Sequence, residues 1–439
     1  MRRLTVALTL LATLAGGSLA ASHASSAERD TPAAHRGTNI LVVGIDSRAG
    51  LSAAEKRRLH VGGKGCNCTD VMMLVHLSEG MRRASIVSIP RDSYVPYADP
   101  AAPPAAPGPA RSGKINGAFA IGGGPLSIRT VEKATGLHID HYLETGFTGF
   151  EQAVDNLGGA TVCTDKSLKD DGSGLDIGAG VHRTDGNTTL RYVRARHVNR
   201  PGDLGRVRRQ QRTVNDLLAR LTAEGSLSGP LNTARTARAL LKSVRTDDRT
   251  GLDDLVRIGW ALGRMRPENI EFATVPIRLF DHRVPGVGST LVWHEARSAA
   301  LWEALAADRR LTGDRRIQPV PQTPVETNPG SIAVRVDDAT VAAALRRSGF
   351  VVTDTSQPAP AQRPAGPAVI SHGPGREADA ATLAAALPGA RIQPVADHDA
   401  FLDVAVGTEP PAVKTVTYDR NTAEGAPAPA DTLRCPGTR

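Results

Sequence analysis

Between Arg183 and Arg212 the chain carries nine arginines and only two acids, Asp185 and Asp203. Guanidinium groups at that density repel one another unless an anion sits among them. Arginine's planar fork also matches phosphate oxygens in a way that a lysine point charge does not. Upstream, three short apolar runs each end on or adjoin Asp or Arg: Asn-Ile-Leu-Val-Val-Gly-Ile-Asp-Ser-Arg over 39–48, Thr-Asp-Val-Met-Met-Leu-Val-His-Leu over 69–77 and Ile-Val-Ser-Ile-Pro-Arg-Asp-Ser-Tyr over 86–94. They add Arg48 and Arg91 as cations and Asp46, Asp70 and Asp92 as carboxylates. Arginines for phosphate charge and carboxylates for a hard cation point to chemistry on a phosphate ester.

The first residues narrow the partners. Met-Arg-Arg precedes an apolar stretch from Leu4 to about Ala21, followed by small residues with cleavage-like sites near Ala20 and Ala24. This is an export signal. At roughly 18 residues it is also just long enough to span a bilayer, so 1–24 reads as a signal peptide or an N-terminal membrane anchor. Its interior Thr, Gly and Ser favour cleavage, and no nearby cysteine offers a lipoprotein anchor. An exported chain does not meet chromosomal DNA. The net charge of +8 therefore suits a membrane surface or an anionic wall polymer, not nucleic acid. In an oxidising compartment the four cysteines, Cys66, Cys68, Cys163 and Cys435, permit two disulfides in any of three connectivities. Cys66 and Cys68 suit a loop-clipping disulfide better than zinc, because no second ligand pair follows at finger spacing.

Elements must position these groups. The 439 residues allow two or three domains. Residues 25–37 form a polar tether. Asn39–Gly44, Val71–Leu77 and Ser85–Ile89 are runs of strand length, the last two close enough to pair as a hairpin. An Ala/Pro loop fills 98–112. Helices are expected over Pro125–Thr135, Phe147–Leu157, Gly186–Arg194 and Gly205–Leu221, and strands over His138–Glu144 and Ala160–Cys163. On the last of those helices Arg206, Arg209, Gln210 and Thr213 fall on one face, and Val207, Val214, Leu218 and Leu221 on another. Helices over Leu231–Val244, Leu252–Met265 and His294–Ala307 follow, with a strand at Ile270–Pro276. Pro, Thr and Gln then mark a linker at 313–329, a second small α/β unit occupies 330–408, and 409–439 reads as a flexible tail.

The three runs quoted above, with Lys114-Ile-Asn-Gly-Ala-Phe119, Thr135-Gly-Leu-His-Ile-Asp-His-Tyr142 and Gly205-Arg-Val-Arg-Arg-Gln-Gln211, resemble the LytR-CpsA-Psr family. The likeness covers roughly 38–222, the motif-bearing core of a catalytic domain taken to span 38–312. Residues 330–408 resemble the LytR C-terminal domain. The resemblance implies an α/β/α catalytic domain with a central mixed sheet flanked by helices, plus the small C-terminal α/β domain. It implies a phosphotransferase that moves a glycopolymer, such as teichoic acid, from a polyprenyl-pyrophosphate carrier to peptidoglycan, at the membrane surface of the cell envelope.

Carried onto this chain, Asp46 and Asp70 would hold Mg²⁺, with Mn²⁺ as a substitute. Arg48, Arg91, Arg194, Arg196 and Arg206 would contact the phosphates, with Arg209 and Gln210 completing the site. Asp92 would take the proton of the attacking hydroxyl, or simply orient Arg91. Lys114 and Asn116 would face the diphosphate or the sugar. Phe119, Ile121, Ile128, Val131, Leu143, Phe147, Phe150 and Val154 are candidates for an apolar lipid channel. Related actinobacterial sequences often carry a second cysteine near the position of Val181, and its absence here leaves Cys163 without an obvious local partner. Two alternatives compete: a pyrophosphatase acting on the lipid carrier with water as nucleophile, and a non-catalytic envelope regulator or binding protein.

Overall fold

Strand β1 (Thr38–Ile45) sends Leu41, Val43 and Ile45 to one core and Ile40 and Val42 to another, so it must be covered on both faces. In this computed structural model, residues 36–437 are described apart from 63–64, 99–111, 197, 199–202, 224–242, 263, 319–322, 326, 355–362 and 419–426. β1 pairs antiparallel with β2 (Thr69–Leu77), and β2 with β3 (Ala84–Ser88), the hairpin expected from the sequence. On its other side β1 runs parallel to the strand His141–Thr145. Arg245–Thr246 closes that edge, and Ile270–Thr274 runs parallel to β3 on the opposite one. Among the described residues the sheet is mixed and has seven strands, Ala428–Pro429 being the last.

Helices Gly117–Thr135 and Glu295–Ala306 cover one face, where Phe119, Val131, Trp302 and Leu305 pack on Leu41 and Leu74. Helices Asp203–Ala223 and Leu252–Leu262 cover the other, where Val214, Leu218 and Ile258 meet Met73 and Phe272. The architecture is the expected α/β/α arrangement. Helix Gly117–Thr135 starts eight residues before the expected Pro125. It is broken at Gly122 and Gly123, the latter at φ +61°, and Pro125 then starts the regular part. The glycine run 122–124 hid the first turns, because glycine is a poor helix former.

A third core forms where helices Phe147–Asn156 and Gly186–Arg194 meet the hairpin Leu168–Asp170/Leu175–Ile177, burying Phe147, Leu175, Leu190 and Tyr192. Asp185 caps the second helix by accepting from the Thr188 amide at 2.8 Å, which holds its carboxyl below the ordinary range. That helix ends at Ala195, where the backbone turns extended and delivers Arg194 and Arg196 to the sheet's edge.

The C-terminal unit has its own core of Val334, Leu345, Leu383 and Leu402. Its five-stranded sheet runs Val351–Asp354, Ala333–Val336, Leu402–Val406, Ala368–His372 and Arg391–Pro394, with helices Ala339–Arg347 and Glu377–Ala386. Arg391–Pro394 escaped the sequence reading because no apolar alternation marks it; all four residues are exposed.

Two readings need correction. Part of the stretch taken as a linker at 313–329 is built into the fold: Ile317 is buried in the main core, and Thr323–Val325 pairs in parallel with Val416–Tyr418. Nor is 409–439 simply a flexible tail. Ala428–Pro429 pairs with Glu271 and Phe272, Ala430 and Leu433 are buried in the second core, and Cys435 is bonded to Cys163. The Pro/Ala composition suggested disorder, but two apolar side chains and one covalent link outweigh it. Cys66 and Cys68 form the other disulfide. All but the last two residues of the expected helix at Leu231–Val244, nearly all of the 98–112 loop and the signal or anchor segment lie outside the described residues. Among the described residues no helix is long and apolar enough to cross a membrane.

A cross-link between residues 272 apart constrains a very large loop in the unfolded chain. Cys435→Ser is expected to lower stability by roughly 2–4 kcal/mol and to expose the last dozen residues to protease. Equilibrium unfolding and limited proteolysis check this, and an unchanged midpoint with a protected tail would contradict it.

Candidate active site

β1 and β2 deliver their acids to one end of the sheet. Asp46 follows β1, and its amide donates to the Cys68 carbonyl at 2.9 Å, which ties the disulfide loop to the strand end. Both Asp46 oxygens accept from the Arg48 fork, Nε and Nη2 each at 2.8 Å. That pair raises the Arg48 guanidinium above its usual value. Gly65 permits the close approach of the loop: a Cβ there would lie 3.1 Å from both Arg48 Cγ and the Asp46 carbonyl. Asp70, the second residue of β2, accepts at Oδ1 from Arg91 Nη1, and Arg196 Nη2 lies 3.6 Å from the same oxygen.

Arg194 arrives from the third core. Its Nη1 donates to the Leu59 carbonyl at 2.7 Å, and its guanidinium stacks 4.7 Å over the Phe147 ring. Burial presses it below the ordinary arginine range. Asp46 and Asp70 hold it up, while Arg48 and Arg196 push it down again. The Arg196 amide donates to Asp170 Oδ2 at 2.7 Å, which fixes the backbone that carries the side chain.

These groups line one cavity of about 420 Å³, walled by Asp46, Arg48, Cys66, Asp70, Arg91, Asp170, Arg194 and Arg196. Against it lies a second cavity of about 150 Å³, lined by Val42, Ile45, Val71, Met73, Phe147, Phe150, Leu190, Val193 and Val214. That volume far exceeds the roughly 10–15 Å³ needed for one water, yet such an apolar wall favours hydrocarbon over water. Asp70 and Arg194 border both cavities, and Arg206 and Gln210 close the apolar one. The geometry can hold a group that is anionic at one end and apolar at the other.

The residues expected to form a site do not all converge. Arg48, Arg91, Arg194, Arg196, Asp46 and Asp70 share the charged cavity. Arg206, 3% exposed, and Gln210 face the apolar one, as do Phe147 and Phe150. Arg209 turns away: it donates to the carbonyls of Tyr192 and Ala195 and braces the segment that bears Arg194 and Arg196. Arg206 rather than Arg209 therefore faces the site. Asp92 pairs with Lys114 at 2.8 Å and lies 3.5 Å from Arg91 Nε, so both Asp92 and Lys114 sit behind Arg91. Asn116 donates to Cys68 Sγ at 3.8 Å and braces the disulfide. Phe119 and Val131 pack in the main core with Ile128 against it, and Ile121 is 49% exposed; none of the four lines the apolar cavity. Helix Gly117–Thr135 covers the opposite face of the sheet, which is why its apolar residues miss the channel. Leu143 and Val154 are likewise core-packed. His76 and His141 bond to Asn39 and Thr250 as structural side chains, and His197 is outside the described residues.

Two residues were missed. Asp170 lines the charged cavity and fixes Arg196; its Asp-Asp-Gly turn was the available signal. Gln211 donates to Ser88 Oγ, the Ala273 carbonyl and Thr274 Oγ1 at 3.0–3.1 Å, pinning the arginine helix to the sheet. No local pattern separates it from Gln210.

Among the described residues no group of three or more His, Cys, Asp or Glu side chains could cage a metal. Asp46 and Asp70, together in the charged cavity, do fit a hard divalent ion that takes its remaining ligands from water and substrate phosphates.

Fold and site together define an α/β/α domain in which an arginine-lined cavity joins an apolar one. Residues 12–307 match the LytR_cpsA_psr family, and the chain belongs to that family. Residues 338–409 match a second domain, described as LytR cell envelope-related transcriptional attenuator. The chain is 39% identical over 273 residues to the probable cell wall biosynthesis protein LcpB of Corynebacterium glutamicum, spanning 61% of each. It is 32% identical over 209 residues to the polyisoprenyl-teichoic acid–peptidoglycan teichoic acid transferase TagU of Bacillus cereus, spanning 48% of this chain and 60% of that one. The match thus covers about three fifths of the length of these relatives. A crystal structure of a Streptococcus agalactiae protein, 19% identical, shares the fold with a TM-score of 0.50 over 63% of this chain and 89% of the other.

Lysine keeps charge but not the fork, and one charge-assisted hydrogen bond is worth about 1.5–3 kcal/mol. Arg194→Lys and Arg196→Lys are therefore expected to weaken binding of inorganic pyrophosphate about ten- to a hundredfold. Arg309→Lys, in a surface pair with Glu303, should change it less than about threefold. Equal small effects at all three positions would leave only a diffuse basic surface.

Proposed function

We propose that this protein transfers a glycopolymer from a polyprenyl-pyrophosphate carrier to peptidoglycan, in the cell envelope outside the cytoplasm. The observation that carries the reading is the shared wall: Asp70 and Arg194 border both the charged and the apolar cavity. A diphosphate with a hydrocarbon tail has that shape and that polarity. TagU's name describes transfer of the same kind, and LcpB's places it in wall synthesis. The two disulfides suit an exported protein.

In this reading the diphosphate lies among Arg48, Arg91, Arg194 and Arg196, and Arg206 guards the passage to the tail. Asp46 and Asp70 would hold Mg²⁺, which when bound supplies charge neutralisation at the phosphate oxygens. An acceptor hydroxyl of peptidoglycan attacks the phosphorus that bears the glycopolymer. The new P–O bond forms as the bond to the distal lipid phosphate breaks, leaving a phosphodiester, polyprenyl phosphate and a proton. Asp92, paired at Oδ1 with Lys114 at 2.8 Å, would take that proton on a carboxylate oxygen. The arginines stabilise charge on the departing phosphate without any covalent step.

Purified protein with a polyprenyl-pyrophosphate glycan, Mg²⁺ and peptidoglycan oligomers is expected to give a transfer product carrying phosphorus. Asp46→Ala or Asp70→Ala, or a chelator, should cut the rate at least about a hundredfold while the fold persists, because each removes charge stabilisation of several kcal/mol. Free lipid phosphate without transfer would instead make the protein a pyrophosphatase, and no turnover would leave a binding protein.

A further inference from the structure

The arginine helix has a second charged side. Arg206 and Gln210 look into the apolar cavity, whereas Arg208 and Arg212 emerge more than a quarter-turn away around the helix, with Arg209 between the two faces but turned toward theirs. There they border a separate cavity of about 480 Å³ with Lys166, Tyr192 and Asp165. It is as roomy as the charged cavity of the proposed active site and shares no lining residue with it.

Its charge is unbalanced. Among the described residues four cations face one acid, Asp165. Arg209 spends its donors on the Tyr192 and Ala195 carbonyls. Among the described residues Lys166, Arg208 and Arg212 have no ion pair to any carboxylate. Arg212 neighbours the Tyr192 hydroxyl, yet its Nε is buried without a hydrogen-bond acceptor. Partial burial, and then repulsion from Arg212, presses the Arg208 and Arg209 guanidiniums below their ordinary values; Tyr192 and Asp170 offset part of this for Arg209. Like charges held this close cost stability in the empty state, and an oxyanion relieves that cost. Two forks and an ammonium converging on one volume offer the donors that a phosphate or carboxylate accepts.

The wall of the cavity is fixed. Cys163 lines it, and its bond to Cys435 anchors the docked tail at that point. Tyr192 donates to the Cys163 carbonyl at 3.0 Å, so the same residue that receives Arg209 also braces the wall.

We propose that the cavity bounded by Lys166, Arg208 and Arg212 is a second oxyanion site, which holds an anionic group of the wall glycopolymer away from the reacting diphosphate. The glycopolymer rests on the transferase reading; the oxyanion site itself does not. A polyanionic chain held at this point adds affinity for the polymer and selects charged polymers over neutral ones.

Calorimetry of the full-length protein with inorganic tripolyphosphate tests the site. Wild type is expected to bind two per chain, Arg208→Gln/Arg212→Gln one, and Arg194→Ala/Arg196→Ala the other one. Lys166→Gln/Arg208→Gln, which leaves Arg212 and its buried Nε in place, replaces the first variant if Arg212→Gln does not fold. A single site in wild type, or two sites retained in the Arg208 variants, overturns the proposal.

The ligand is tested by competition on Arg194→Ala/Arg196→Ala, where only this cavity remains. Displacement of tripolyphosphate by poly(glycerol phosphate) identifies a phosphate polymer, and displacement by oligogalacturonate a carboxylate one. Displacement by neither removes the glycopolymer from the proposal. In the transfer assay the Arg208→Gln/Arg212→Gln change should raise KM for a charged-polymer donor about tenfold more than for a neutral disaccharide donor. Equal changes for the two donors would also overturn it. Failure of all transfer, with two calorimetric sites present, would count against the transferase reading alone.

Discussion

Packing guanidinium groups together in a partly dry space is unfavourable, and everything at the proposed active site depends on how this chain makes it tolerable. Three carboxylates, Asp46, Asp70 and Asp170, stand among Arg48, Arg91, Arg194 and Arg196 and compensate only part of the charge. The pairs hold the side chains in place without neutralising the cavity, because four guanidinium groups outnumber the carboxylates there. A phosphate entering it replaces repulsion with charge-assisted hydrogen bonds at little reorganisation cost. Buried Arg194 is the clearest case: a backbone carbonyl and an aromatic face fix it, and Asp46 and Asp70 help keep it charged.

The frame explains why those side chains stay put. β1 and β2 must alternate their apolar residues between two helical layers, which places Asp46 and Asp70 near one end of the sheet. Gln211 locks the arginine helix onto β3 and its neighbour through three acceptors. Asn215 of the same helix donates to the Ala430 carbonyl, and Cys435 closes on Cys163. The end of the chain thus clasps the helix that carries Arg206. Opposite sides of that helix serve two cavities, one apolar and one cationic.

Much of this was legible in sequence. The period-two runs marked the strands, and the density of arginine against acid marked residues that the charged cavity collects. Helical spacing placed Arg206, Gln210 and Thr213 together, and all three line the apolar cavity. It misplaced Arg209, which lies about 60° from Arg206, because angular position alone cannot tell which cavity a long side chain reaches. Phe119 looked like channel and proved to be core, since periodicity does not say which side of a sheet a helix covers. Cys163 and Cys435 could not be matched: nothing local links residues 272 apart. The docked tail was invisible for the same reason, its few apolar anchors being set in Pro and Ala.

The central claim is that one site binds a charged head and an apolar tail together. Calorimetry of farnesyl diphosphate against inorganic pyrophosphate, both with Mg²⁺, measures that coupling directly. Each buried methylene is worth about 0.8 kcal/mol, so seating four or more carbons should tighten binding at least about a hundredfold. The gain should come with a more negative heat-capacity change. Affinities equal within about threefold, with no difference in heat capacity, would contradict the joined cavities and leave an anion site alone.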